Sequence, residues 1–210
     1  MISVIVPVQT EPRETAASVC ASVAEWAPPE DAEILIAPDE TGCRGAALAR
    51  AAARSRGEIL FFVHADSRPP AGALGLILRT VAAGAAAGAF SLGYASGDAA
   101  GEDARMRWIA WWANLRSRLL RLPYGDQGIF CRRDAYERSG GFRDLPVCDD
   151  LDLVRRLRRT GRFVILPEVM RTSPRKYRAG ALRQVLRVWR VAAGYFLGVS
   201  PERLSRWYSG

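Results

Sequence analysis

A chain of 210 residues with a formal net charge of +8 is long enough for one good core and short for two, and its pI near 9.9 favours an anionic partner: a nucleotide, a phosphate or a membrane surface. The basic side is almost all arginine, Lys176 being the single lysine, and a GC-rich coding bias explains that as readily as function does. Four scattered cysteines without CxxC spacing and one histidine argue against a disulfide framework and a zinc site and predict a reduced, cytoplasmic chain; no apolar run reaches the roughly 18 residues of a membrane span.

Ile2 to Val6 is a β-branched run closed by Pro7 and reads as a first strand. Thr10 to Trp26 follows as a helix, with Pro28-Pro29 beyond its end. Ile34 to Ala37 reads as a second strand ended by Pro38, and Ala46 to Arg56 as a helix that stops at Gly57. The stretch Glu58 to Pro70 organises the rest. Its apolar run, Ile59 to Val63, suits a strand buried on both faces of a mainly parallel sheet, and Pro69-Pro70 stop it. In open α/β sheets ligands bind beyond the carboxyl ends of the strands, so His64, Asp66 and Arg68 stand where chemistry is expected. This alternation predicts an α/β fold with parallel, right-handed connections.

Ala71 to Ala83 reads as a helix, Ala89 to Tyr94 as a strand and Ser96 to Glu102 as a loop. Ala104 to Leu122 is an amphipathic helix with Trp108, Trp111, Trp112, Leu115, Leu119 and Leu122 on one face. These tryptophans read first as core, with an acceptor-binding or membrane-facing patch as the alternative. Pro123 to Gly128 is a tight polar loop before the strand Ile129 to Cys131. Asp149 to Arg159 is a helix whose first-turn acids and last-turn arginines complement its dipole, and Phe163 to Leu166 is a last strand. The tail, Ala179 to Phe196, puts Leu182, Val185, Leu186, Trp189, Ala193 and Phe196 opposite Arg183, Arg187 and Arg190. Core packing is the first reading of that apolar face; docking on an anionic membrane surface is the second.

In this order the landmarks resemble family 2 glycosyltransferases of the GT-A fold. The opening Ser3 to Pro7 strand, His64-Ala65-Asp66 in place of an Asp-x-Asp-like metal triplet, Tyr124-Gly-Asp-Gln-Gly128 with Gly140-Gly-Phe142, and the acidic pair Asp149-Asp150 each match a family motif. Leu197 to Leu204, Leu-Gly-Val-Ser-Pro-Glu-Arg-Leu, is similar to the ending of a small bacterial subgroup associated with radical-SAM and selenium-related gene clusters. The chain departs from the family at Thr10-Glu11, where Asn usually precedes Glu, at the turn Ala37 to Thr41, which lacks the usual Asp-Gly-Gly-Ser, and in the short segment from Thr41 to Gly57.

The resemblance implies one GT-A domain with a nucleotide-sugar half (1–95), an acceptor and catalytic half (96–175) and a helical tail (176–210). It implies Mg²⁺ or Mn²⁺ on Asp66, with His64 as second ligand or as a contact to ribose or phosphate. Donor contacts fall at Pro7, Glu11, Asp39, Arg44, Ala65 and Arg68, diphosphate contacts at Arg175 and Lys176, and acceptor contacts at Gly125, Asp126 and Gln127. Asp150 is the expected general base, with the charge of Asp149 raising its pKa. The expected activity is inverting transfer of a sugar from a nucleotide diphosphate to an unknown acceptor hydroxyl. A lipid-linked acceptor would place the protein at the inner face of the membrane. A silent nucleotide-sugar binder or scaffold and a nucleotidyltransferase stay as alternatives, although the latter's glycine-rich, lysine-containing phosphate loop is missing from Val8 to Glu14. Nucleic-acid binding is not expected, because no nucleic-acid module with interleaved aromatics is present.

Overall fold

The computed structural model describes residues 1–9, 23–25, 27, 32–39, 43–95, 104–177 and 180–209. Within these, β1 (Ile2–Gln9) and β2 (Ala32–Asp39) precede helix α1 (Arg44–Arg54), followed by β3 (Ile59–Phe62), the two-residue β4 (Ser67–Arg68), α2 (Ala73–Ala82) and β5 (Ala87–Tyr94). Then come α3 (Ala104–Leu120), a 3-10 turn (Gly125–Gln127), β6 (Ile129–Arg132), α4 (Arg133–Arg138), α5 (Asp149–Leu157), β7 (Phe163–Thr172), a second 3-10 turn (Pro174–Tyr177), α6 (Ala181–Phe196) and α7 (Pro201–Ser209).

The seven strands form one sheet in the order β2-β1-β3-β6-β5-β7-β4. Strands β1, β2, β3, β5 and β7 run in one direction, and β6 and β4 run against them. The mainly parallel α/β arrangement expected from the sequence is therefore present, with β6 reversed in its middle. The carboxyl ends of β1, β2, β3, β5 and β7 consequently share an edge with the amino end of β6.

Alternation along the strands builds two main cores, and a smaller third cluster joins Leu92 and Tyr94 of β5 to Met106, Ile109 and Ala110 of α3. Ile5, Leu60, Phe62, Ile129 and Cys131 pack on one face against Leu48 and Ala51 of α1 and Leu151 and Val154 of α5. Val4, Val6, Phe61, Phe90 and Phe130 pack on the other with Leu74 and Ile77 of α2, as the period of two requires. Phe61, Phe90 and Phe130 are fully buried, each worth about 1.5–3 kcal/mol.

Two prolines that read as strand ends lie inside strands. Ile5 accepts a hydrogen bond from the Val63 N–H, and Pro7, two residues on, turns its nitrogen to the same side, where β3 has already ended. Pro38 sits in β2, the edge strand, where a missing donor costs little. Strand β7 likewise runs past Pro167 to Thr172, with an irregular register against β5 between Ala89 and Ser91.

The tryptophans of α3 do not enter the core. Trp108 and Trp111 are more than half exposed, and the helix buries Met106, Ile109, Ala110 and Ser117 instead. The reason is a polar seat: β6 pairs with β5 only at Ala87 and Gly88, and beyond them Asn114 of α3 receives the Leu92 N–H at 2.7 Å and donates to the Leu92 carbonyl at 2.9 Å. That contact fixes the rotation of α3. The apolar face of α6 is open as well, with Leu182, Leu186, Trp189 and Phe196 exposed; its buried contacts are Val191 and Gly194, the latter so close that an added Cβ would lie 2.6 Å from Leu204 of α7. Core packing, the first reading of both apolar faces, holds for Leu122 and Val185 and is corrected to surface exposure for the tryptophans, Leu119, Leu182, Leu186 and Phe196.

Candidate active site

Helix α5 begins the site. Cys148 precedes it in a left-handed conformation, φ 61°, and turns Asp149 and Asp150 into the interior beside α1. Arg44, the first residue of α1, grips Asp149 with two bonds, Nε to Oδ2 at 2.9 Å and Nη2 to Oδ1 at 2.5 Å. Its Nη2 lies 3.6 Å from Asp150 Oδ2, and its Nη1 is 3.2 Å from Nε2 of His64, just past β3. An arginine only donates, so His64 Nε2 accepts and the ring proton belongs on Nδ1.

Asp150 is held by backbone. Gly125 N–H donates to Oδ2 at 2.7 Å and Leu151 N–H to Oδ1 at 2.7 Å. Gly125 is required by closeness, since a Cβ there would stand 2.8 Å from His64 Nε2 and 3.2 Å from Asp150 Oδ2. Burial by itself would raise the pKa of Asp150, but the Arg44 charge and the Gly125 N–H outweigh it and hold the carboxyl below its ordinary value. Asp149 goes the other way: burial pushes it up against the pull of Arg44, and the Asp150 charge adds to the rise. The expectation that Asp149 lifts Asp150 is therefore reversed, because the guanidinium and two N–H groups converge on the pair.

A cavity of about 510 Å³ opens over these groups, lined by Asp39, Arg44, His64, Asp126, Asp149 and Asp150 together with Tyr124, Tyr177, Gln184 and Tyr208. Six residues singled out in the sequence thus meet on one surface at the carboxyl edge of the sheet. Tyr177, Tyr208 and Gln184 are absent from the sequence reading, and Tyr124 enters it only as the first residue of the glycine motif. Tyr124 directly precedes the glycine loop, and a start signal for α7, Ser200-Pro201-Glu202, would have placed Tyr208 on a helix. Burial pushes the Tyr124 hydroxyl up to about 12 and the Cys148 thiol up to about 12, so neither ionises near neutral pH.

Other expected contacts lie elsewhere. Gln127 is fully buried; it accepts from Ser117 Oγ at 2.7 Å and donates to the Phe90 carbonyl at 2.9 Å. Its role is to satisfy backbone beneath the loop, and the acceptor assignment is corrected accordingly. Pro7 touches only a small space behind Arg44 and His64. Arg68 faces Glu25 at 3.3 Å and Ala65 is exposed on the turn. Arg175 is exposed, 3.4 Å from Asp66 and 3.1 Å from Ser173 Oγ, and is not among the residues lining the cavity. Glu11 and the Lys176 side chain lie outside the described residues.

His64 and Asp66, the expected ligands of a divalent cation, each face an arginine. His64 Nε2 accepts a hydrogen bond from Arg44, Asp66 faces Arg175, and no group of three acidic, histidine or cysteine side chains comes together among the described residues.

No family model matches the chain, and no curated protein matches it. Solved structures do match. Over 82% of this chain and 36% of the other, at 14% identity, it superposes on S. aureus TarS with a TM-score of 0.60. TarS 1–349 in complex with UDP gives 0.54 at 14% identity over 82% and 61% of the two chains, and the same fragment with UDP-GlcNAc gives 0.54 at 13% over 82% and 58%. The fold is accordingly a glycosyltransferase fold like that of TarS. The chain spans between 36% and 63% of the length of the TarS chains it matches.

Proposed function

We propose that the protein is an inverting family 2 glycosyltransferase that uses a nucleotide-diphosphate sugar. The observation that carries this reading is the polar cavity at the carboxyl edge of the sheet, where Asp150 stands ionised between two N–H donors with His64, Asp126 and Asp39 around it. Each oxygen of Asp150 keeps a lone pair for an acceptor hydroxyl. As the acceptor oxygen bonds to the anomeric carbon from one face, the bond to the donor diphosphate breaks on the other. The leaving group takes the electron pair and Asp150 the proton. The depressed pKa makes Asp150 a weak base that is always ready at neutral pH; alignment of the two substrates must then supply much of the rate. Arg44 keeps the acids in place, and the exposed Arg175 beside Asp66 is the cation assigned to the donor diphosphate.

The neighbours' complexes with UDP and UDP-GlcNAc make UDP the first nucleotide to test. Calorimetric titration should show saturable binding of UDP, and incubation with UDP-GlcNAc should release UDP slowly by transfer to water. Asp150→Asn should keep UDP binding and lose at least 100-fold in release. Wild-type binding with no release above the Asp150→Asn level for any UDP-, GDP-, CMP- or dTDP-sugar would favour a silent binder.

A further inference from the structure

A second cavity, about 620 Å³, runs between α3 and α6. Trp108, Trp112, Leu119, Leu186, Trp189 and Phe196 line it and are all exposed. Exposed apolar surface of this extent on one groove marks a binding site. It adjoins the polar cavity: Tyr124, Asp126, Leu151, Tyr177, Val188 and Ala192 line both. At that junction the Arg116 guanidinium lies over the Tyr124 ring, 3.6 Å from its centroid. Its Nε and Nη2 are buried without a hydrogen-bond partner among the described residues, as are the Tyr94 hydroxyl and Oδ1 of Asp126, which line the same cavity. Such donors cost free energy unless an acceptor reaches them.

We propose that the groove holds the hydrocarbon chain of a lipid phosphate whose head group rests on Arg116, at the mouth of the donor cavity. The proposal deepens the glycosyltransferase reading by naming the class of its acceptor-side ligand, and it rests on that reading for the word acceptor. Three features select this occupant over a protein partner or a bilayer face. The groove shares six lining residues with the cavity that holds Asp150, so a ligand lying along it has one end at that cavity. The apolar walls accept a chain that makes no directional bonds. The guanidinium with two unpartnered nitrogens sits at the inner end, where a head group would be, and not on the outer rim, where a membrane surface would touch.

The test is a tryptophan-fluorescence titration of the full chain with dodecyl phosphate below its micelle concentration, beside dodecanol and inorganic phosphate. Dodecyl phosphate should bind saturably and at least tenfold tighter than dodecanol. Arg116→Gln should abolish that difference. Leu186→Glu, at a site 59% exposed, should keep the wild-type melting temperature and weaken both amphiphiles at least tenfold. Equal affinity for the two amphiphiles in the wild type overturns the head-group assignment. A fluorescence response to phosphatidylglycerol vesicles alone makes the groove a membrane-docking face. No saturable binding, with a dimer in sedimentation that Leu186→Glu splits, makes it a self-interface. UDP is titrated into the same samples: lipid-phosphate binding without UDP binding refutes the glycosyltransferase reading and leaves the groove assignment, and the reverse refutes the groove alone.

Discussion

Asp150 and Arg44 decide how the site behaves with pH and how much it contributes to stability. The folded-state pKa of Asp150 is depressed, so its contribution is present above the unfolded carboxylate value of about 3.9 and is lost as pH falls through the lower folded value. The melting-temperature deficit of Asp150→Asn against wild type should accordingly be largest at neutral pH and close below about pH 4. A deficit independent of pH would assign the effect to the N–H contacts and not to the charge. Arg44 is a different case. Its partner Asp149 is almost completely buried while Arg44 is one-third exposed, and removing one member of such a pair strands the other. Arg44→Met should cost about 3 kcal/mol in urea denaturation, the low end for a broken buried pair, and Arg44→Met with Asp149→Leu should recover most of it.

Helix α3 turns on one side chain. Asn114 completes the hydrogen bonding of Leu92 where β6 no longer pairs with β5, and it thereby rotates the tryptophans outward. Asn114→Leu leaves a buried N–H and a buried carbonyl without partners, a loss of about 2–4 kcal/mol that chemical denaturation would measure. A loss below 1 kcal/mol would mean that α3 shifts and finds another seat. Burying more apolar surface would favour rolling the helix the other way, at roughly 25 cal/mol per Å². The observed orientation indicates that satisfying two backbone groups, with Arg118 also reaching Ser91 Oγ at 3.2 Å, outweighs the gain available from the tryptophans.

Across the whole molecule, one sheet edge collects groups that are far apart in the chain. Asp66 follows β3 and Arg175 follows β7, yet they stand 3.4 Å apart, and Tyr208 near the chain's end faces the same cavity as Asp39. This arrangement bears on the divalent cation implied by the family resemblance. One carboxylate already facing a guanidinium offers little, so calorimetry with Mn²⁺ alone should show no binding, and Mn²⁺ should bind only when UDP supplies phosphate oxygens. Tight binding of Mn²⁺ without UDP would reveal a protein ligand set that these residues do not make. No helix among the described residues is long and apolar enough to cross a membrane.

Much of the architecture was legible because strand and helix periodicity are local properties. The run Ile59 to Val63, the helix-forming stretch after Cys43 and the acidic opening of α5 each report their own backbone state, and their alternation implies a carboxyl edge where His64, Asp149 and Asp150 must gather. Gln127 looked like an acceptor contact because a polar residue in a glycine loop has no written address, and only the tertiary structure puts it under the loop against Phe90. The reversed pKa order of Asp149 and Asp150 depends on Arg44, more than 100 residues away in sequence, and on the N–H of Gly125. The apolar faces of α3 and α6 are visible in the sequence, but the direction in which they point is not. Amphipathicity specifies that a helix has an apolar side; which side meets the core is settled by the competing polar contacts of Asn114 and the close packing at Gly194.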